Sequence, residues 1–275
     1  RVPFEIKQTN EPFSLELRFF TAVQRLDRIY YKPGDPIFKE VRYSQESERV
    51  VRLNIDTHLV QGWGYDGGYD DRGNFVLEVR RPPVIDAVNP LRGRRVALDP
   101  GHSPDRGGVG PRGSEEKQLN LEIALKVKEL LEGQGASVYM VRDSTQSVPL
   151  ADRHGLAWRA RAEVYVSVHG NALPVNQDPL SQPRGFMNFY YHPQSRPLAE
   201  ALNNNYVRLL PELFNSGVFW GDLSVCRATQ MPSVLTETAY IMLPEQEQLL
   251  RSTEGQARMA RAIADGLRDF YKRAR

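Results

Sequence analysis

The chain has 275 residues, 40% of them hydrophobic and 25% charged, the balance of a soluble globular protein with room for one large domain or two unequal ones. Lys and Arg number 36 against 34 Asp and Glu, and the net +2 is mixed along the chain, which excludes the clustered basic face of a nucleic-acid binder. The single cysteine, Cys226, excludes an intramolecular disulfide and a multi-cysteine zinc site, and no apolar run approaches the ~20 residues that span a bilayer.

The chain opens at Arg1 and carries no signal sequence. The expectation is a processed form, from which any targeting segment has been removed. Residues 1 to 90 read as an all-β module. Short apolar or β-branched runs at Leu15 to Ala22, Arg28 to Tyr31, Val50 to Ile55 and Asn74 to Val79 are separated by turn chemistry at Lys32-Pro33-Gly34-Asp35-Pro36 and from Gly67 to Gly73. A small sandwich or barrel-like module is predicted. Trp63, Tyr65 and Tyr69 either present a platform for a polymer such as glycan or fill the small core; burial preferences favour the core. The polar, Pro-containing stretch from Arg80 to Arg95 marks the domain boundary.

From residue 94 onward the pattern becomes alternating strands and helices. Val96 to Pro100 reads as a buried strand that ends in Gly101-His102. Leu119, Ile123, Val127, Leu130 and Leu131 stripe a helix that Gly133 and Gly135 stop. Ala136 to Val141 is a strand, 150 to 161 a short helix, and Glu163 to Val168 and Gly185 to Tyr191 are further strands. Leu198, Leu202, Tyr206, Leu209, Leu210 and Leu213 mark an amphipathic helix, Pro232 to Leu235 a strand, and Met259, Ile263, Leu267 and Phe270 the final helix. This alternation predicts an α/β domain over 94–275, a largely parallel open sheet flanked by helices. Such sheets carry their sites at the carboxyl ends of strands.

Three strand ends there bear reactive side chains: His102, His169 in Ser167-Val168-His169-Gly170-Asn171-Ala172, and Glu237 in Thr236-Glu237-Thr238. Glu115 and Glu116 precede the first helix, and chemistry alone allows either to join them. Two imidazoles and a carboxylate match the ligands of a catalytic zinc site with one open position. Zinc brings the pKa of water to about 7, and a nearby carboxylate outside the ligand set can move the proton to a leaving nitrogen. Asp99 is read either as the partner of the non-ligating nitrogen of His102 or as a turn cap. Asn171 is read as turn-forming, with polarisation of a substrate carbonyl as the alternative. His154 and His192 are assigned to surfaces, with lining the groove as the alternative; His58 sits in the β module, and Cys226 is assigned to a buried apolar setting. There is no His-Glu-x-x-His helix, no Gly-x-Ser-x-Gly elbow and no phosphate-cradling Gly-x-x-x-x-Gly-Lys-Ser/Thr.

Asp99-Pro100-Gly101-His102, Glu116-Lys117-Gln118-Leu119-Asn120-Leu121, Ser167 to Ala172 and Val234 to Ile241, with Arg142-Asp143 and Pro244-Glu245, resemble in order and spacing the zinc-dependent N-acetylmuramoyl-L-alanine amidases of the type 3 family. The resemblance covers about 94 to 272. It implies Zn2+ held by His102, Glu116 and His169, and Glu237 as general base and acid. The reaction it implies is cleavage of the amide between N-acetylmuramic acid and L-alanine in peptidoglycan. It further implies peptidoglycan as the partner and an extracytoplasmic setting, periplasm or cell wall; the sequence does not fix the oligomeric state, a monomer being favoured, and the charge balance argues against nucleic acid. Trp63-Gly64-Tyr65 with Val79-Arg80-Arg81-Pro82-Pro83 resembles, more weakly, β modules that precede such amidases in some exported proteins, which implies a wall-binding or accessory role for residues 1 to 90. Two departures stand out: Ser103-Pro104 where the family usually has Gly-Gly, which predicts a stiffer loop, and Gly170 where it usually has Ala. The short, proline-containing link from Ala172 to Arg184 predicts an open groove without an inserted inhibitory helix. The competing readings are another zinc amidohydrolase, a peptidase or deacetylase on wall fragments, and a catalytically silent wall-binding or regulatory protein.

Overall fold

The computed structural model describes residues 1–30, 32, 34–144, 146–174 and 176–274, and among these residues the chain divides into two compact units, Arg1–Pro82 and Pro83–Arg275. In the first, β1 (Phe4–Thr9), β2 (Ser14–Phe20), β3 (Phe38–Ser47) and β4 (Val50–Thr57) form an antiparallel sheet in the order β1-β2-β4-β3, and β5 (Tyr65–Tyr69) pairs with β6 (Phe75–Val79) as a hairpin. Leu15 and Leu17 alternate inward along β2, as a half-buried strand requires, and join Phe13, Ile37, Ile55, Leu59 and Tyr65 in one core. Trp63 and Tyr65 are buried in this unit and Tyr69 is half-buried, its ring edge-on to Phe4 and Phe75. Trp63 and Tyr65 therefore fill the core, as burial preferences favour, and Tyr69 packs its ring against Phe4 and Phe75. The expected strand at 28–31 is absent from residues 28–30, and Tyr31, like Pro33 of the following turn, lies outside the described residues. Gly67 and Gly68 lie within β5 rather than in the turn, and a Cβ at Gly67 would stand 2.5 Å from Ile6 Cδ1. The turn itself is made by Asp70, whose Oδ1 accepts from the backbone N–H groups of Arg72 and Asn74.

In the second unit, β7 (Arg95–Pro100), β8 (Ser137–Met140), β9 (Val164–Asn171), β10 (Gly185–Tyr190), β11 (Phe214–Trp220) and β12 (Ser233–Tyr240) form a six-stranded sheet in the order β11-β10-β12-β9-β7-β8. All neighbouring pairs are parallel except β10 with β12, so the sheet is largely parallel, as the alternating pattern predicts. β11 escapes sequence reading because Asn215-Ser216-Gly217 imitates a turn; Gly217, at φ +111°, sits where the β10–β11 register shifts. The helix expected to reach Leu213 ends at Leu209, and the strand expected at 232–235 continues to Tyr240.

The helices α1 (Glu116–Glu132), α2 (Arg153–Arg159), α3 (Arg196–Leu209), α4 (Pro244–Arg251) and α5 (Thr253–Arg273) flank the sheet. Leu119, Ile123, Val127 and Leu131 of α1 are buried, as are Met259, Ile263, Leu267 and Phe270 of α5. A Cβ at Gly266 would stand 2.8 Å from Leu202 Cα, so the glycine lets α3 and α5 approach closely. β7 and β9 are apolar and buried along most of their length, which is what strands covered on both faces demand. This buried pair ends at the edge where the reactive side chains stand. Residues 172–184 form turns and bends with no helix among those described; Val175 lies outside them.

Candidate metal centre

Each arm of the site comes from a different element. His102 lies two residues past β7, Glu116 is the first residue of α1, and His169 lies within β9. The structure brings these three together: one potential ligand atom from each lies within 4.8 Å of the others. Glu116 Oε1 is 2.8 Å from His102 Nε2 and 3.1 Å from His169 Nδ1, and the two rings stand edge to face with centroids 4.9 Å apart. Asn120, one turn along α1, donates to the same Oε1 at 3.2 Å, as does the Gly170 N–H, and Gly108 N–H donates to Oε2 at 2.7 Å. Burial opposes ionisation of Glu116, but hydrogen bonds from His102 and His169 and their charge hold its carboxyl well below the usual carboxylate range. Burial likewise opposes charging of His102, and its bonds to Glu116 and Asp105 leave its pKa raised.

Two glycines leave the room that the imidazoles occupy. A Cβ at Gly101 would overlap the His169 ring, and one at Gly107 would lie 2.5 Å from both Glu116 Oε2 and His102 Cδ2. Gly170, the residue after the second histidine, would bring a Cβ no nearer than 3.5 Å to Glu116 Cγ, ordinary contact, so that departure is neutral for space.

Glu237 stands in the middle of β12, paired in register with His169 of β9 on one side and Met187 of β10 on the other. The residue is partly buried, but its Oε2 is sealed from solvent and has no hydrogen-bond partner. Burial raises its pKa; His169 and His102 pull it back, Glu116 adds to the rise, and it settles at about 7. A desolvated carboxyl without a partner beside a carboxylate and two imidazoles is costly for stability alone, and a carboxyl raised towards neutrality is of the kind that suits proton transfer.

The remaining candidates fall elsewhere. Glu115 pairs with Arg106 and Lys117, each at 3.2 Å, outside the cluster, so Glu116 is the carboxylate at the centre. Asp99 does not reach His102: its carboxylate accepts from Arg153 Nη1 at 2.6 Å, Tyr165 Oη at 2.5 Å and Ser167 Oγ at 2.9 Å. Asp105 takes the place expected for Asp99, with Oδ1 at 2.5 Å from His102 Nδ1. Asn171 forms no turn; it is the last residue of β9 and its carbonyl accepts from Ile241 N–H. His154 and His192 are half-buried rather than superficial, bonded to the carbonyls of Val225 and Arg227, and burial lowers both pKa values. Cys226 is buried, and burial pushes its thiol up to about 12, which makes it inert as a nucleophile. Asp105 and Arg153 are the site residues that sequence reading misses. For Asp105 a signal exists, a carboxylate three residues after the histidine; for Arg153, fifty residues away, there is none.

An α/β domain with this cluster at the carboxyl edge of its sheet, and a partnerless glutamate on the adjoining strand, defines the class: a hydrolytic domain with a candidate metal site. Comparison with known proteins narrows this. The family profile of N-acetylmuramoyl-L-alanine amidases matches residues 96–269, and the chain belongs to that family. Over 243 residues it is 31% identical to the probable cell wall amidase LytH of Staphylococcus epidermidis, covering 86% of this chain and 78% of that protein. Among solved structures it is similar to the N-acetylmuramoyl-L-alanine amidase AmiC2 of Nostoc punctiforme, with 34% identity, a TM-score of 0.58, and coverage of 63% of this chain and 94% of that one. The catalytic domain of CwlV from Bacillus (Paenibacillus) polymyxa var. colistinus is 30% identical, with a TM-score of 0.60 and coverage of 66% and 99%.

Proposed function

We propose that the chain hydrolyses the amide between N-acetylmuramic acid and L-alanine in peptidoglycan, with Zn2+ held by His102, Glu116 and His169. The observation that carries this reading is the convergence of those three side chains beside the sealed, partnerless carboxyl of Glu237. Two imidazole nitrogens and one carboxylate oxygen are the donor set that zinc takes in hydrolytic sites. Zinc bound there supplies Lewis acidity, which lowers the pKa of water to about 7 and polarises the scissile carbonyl.

The chain's own residues do the rest. Glu116 stays ionised throughout the working range because both histidines and two backbone N–H groups hold it so. Asp105 fixes the ring of His102 through Nδ1 and leaves Nε2 facing the centre. Glu237, whose carboxyl pKa burial raises to about 7 in the metal-free chain, takes a proton from the attacking water at its carboxylate and returns it to the departing L-alanine nitrogen. Its anchorage between two strands keeps that carboxylate at one height over the sheet edge.

The setting that suits this chemistry is extracytoplasmic, in the periplasm or cell wall, and no helix among the described residues is long and apolar enough to cross a membrane. Residues 1–82 are proposed as an accessory or wall-binding module. Mass spectrometry of the products from purified sacculi tests the activity. Whole stem peptides with a free L-alanine amine, and glycan strands left intact, are expected. Fragments cut within the stem would indicate a peptidase, released acetate a deacetylase, and no product a silent binder; each outcome overturns the proposal.

A further inference from the structure

We propose that Arg153 and Arg142 are positioning residues: together they hold the His102 loop in a left-handed shape and so aim His102 at Glu116 and His169. The proposal rests on the metal-site reading above. His102 and Ser103 have successive φ values of +68° and +79°, a region that non-glycine residues rarely enter and that persists only where the surroundings over-determine it. Turned this way, the loop sends its carbonyls inward, where they repel one another unless a concentrated set of donors meets them.

The two arginines are that set. Arg142 donates through Nε to the Pro100 carbonyl at 2.9 Å and through Nη2 to the Gly101 carbonyl at 2.9 Å. Arg153 donates through Nη1 to the Pro100 carbonyl at 3.3 Å, and through Nη2 to the carbonyls of His102 at 2.8 Å and Ser103 at 3.4 Å. Four consecutive carbonyls, from residue 100 to 103, are thus bound by guanidinium groups. Both side chains are buried, and Arg153 has its counter-ion in Asp99, the carboxylate that also takes Tyr165 and Ser167. Arg142 Nη2 also reaches the Lys117 carbonyl at 2.6 Å, in the first turn of α1 beside Glu116. One guanidinium therefore ties the histidine arm of the centre to the carboxylate arm. Lysine cannot replace such a fork, because an ammonium on a flexible stem does not present five fixed planar donors. Ser103 is held separately, by its own Oγ donating to the Gln146 carbonyl at 2.8 Å.

The test measures Zn2+ affinity of the metal-stripped protein by chelator competition, together with the visible absorption of the Co2+-loaded protein. The set is wild type, Arg153→Lys, Arg142→Lys, and each of these combined with Ser103→Gly. The lysine variants are expected to bind zinc about 10- to 100-fold more weakly and to show altered Co2+ bands, the effect typical of losing an outer-shell partner. Ser103→Gly is expected to restore a substantial part of that affinity, because glycine adopts positive φ without penalty. A merely structural arginine would not be rescued in this way. Should Arg153→Lys fail to fold, Arg142→Lys with and without Ser103→Gly decides the matter. Wild-type affinity in the lysine variants, or no recovery with glycine, overturns the proposal while leaving the metal site standing. A wild-type protein that takes up no zinc overturns the metal reading and this proposal with it.

Discussion

Replacing Glu237 with glutamine separates two consequences of one buried carboxyl. Glutamine keeps the shape and removes the ionisation. In the metal-free protein Glu237 titrates near 7, against an ordinary value of 4.5. A folded pKa above the unfolded one means that the folded state resists losing the proton. The carboxyl therefore costs nothing below about pH 4.5, and its cost grows as pH rises towards 7 and is complete above it. At 1.36 kcal/mol per pH unit the ceiling is about 3 kcal/mol, and solvent reaching the less buried part of the residue reduces it. Urea denaturation of metal-free Glu237→Gln should show added stability of roughly 1–3 kcal/mol at pH 8.5 and almost none at pH 4.5. The same variant, loaded with zinc, should release stem peptides about 10²- to 10⁴-fold more slowly, the loss of a positioned general base. Equal stability of the two proteins at pH 8.5 would refute the claim that Glu237 is desolvated. Intact hydrolysis would refute its role.

Three further outcomes are expected. Glu116→Gln should lower zinc affinity more than about 100-fold by isothermal titration, whereas Glu115→Gln should leave it within about twofold and change stability by less than ~1 kcal/mol, since its ion pairs are partly open to solvent; a reversed order would exchange their roles. Gly101→Ala should force the His169 ring to move, lowering zinc affinity about tenfold or more and costing roughly 1–3 kcal/mol of stability in thermal melts; an unchanged Co2+ spectrum would show that the ring tolerates the methyl. Deletion of residues 1–82 should weaken co-sedimentation with peptidoglycan, and unchanged sedimentation would leave that unit without a wall-binding role.

The α/β architecture is legible in the sequence because its helices carry clean apolar stripes and its central strands are buried on both faces. Residues such as Ile123, Val127 and Val96 announce their surroundings by type alone. The N-terminal sheet is only half legible: β1 and β3 are amphipathic antiparallel strands rich in Glu, Lys, Arg and Gln, and their apolar alternation is diluted. At the site, His102 and His169 can be singled out at or near strand ends, Glu116 is separated from Glu115 only by the family resemblance, and Glu237, expected just past a strand end, lies in the middle of β12. Their supports cannot be singled out. Asp99 stands three residues before His102, which suggests a pair, but Asp99 belongs to β7 and turns into the sheet interior towards Tyr165, whereas His102 lies in the loop beyond the strand. Arg153 is invisible for a different reason: a buried arginine looks in sequence like any surface one, and only the fold shows which carbonyls await it.

The placement of Glu237 has a consequence for how this protein opens. Its backbone is paired on both sides within the sheet, whereas His102 and Asp105 stand on a loop and Glu116 begins a helix. In native-state hydrogen exchange the amides around Glu237 should open only with the whole domain, while those from 101 to 116 open in smaller, more frequent fluctuations. The two parts of the proposed site should thus differ in local stability. A brief melting of the loop would separate His102 from His169 and leave Glu237, the proposed proton acceptor, in place, so the site could be dismantled and rebuilt without unfolding the protein.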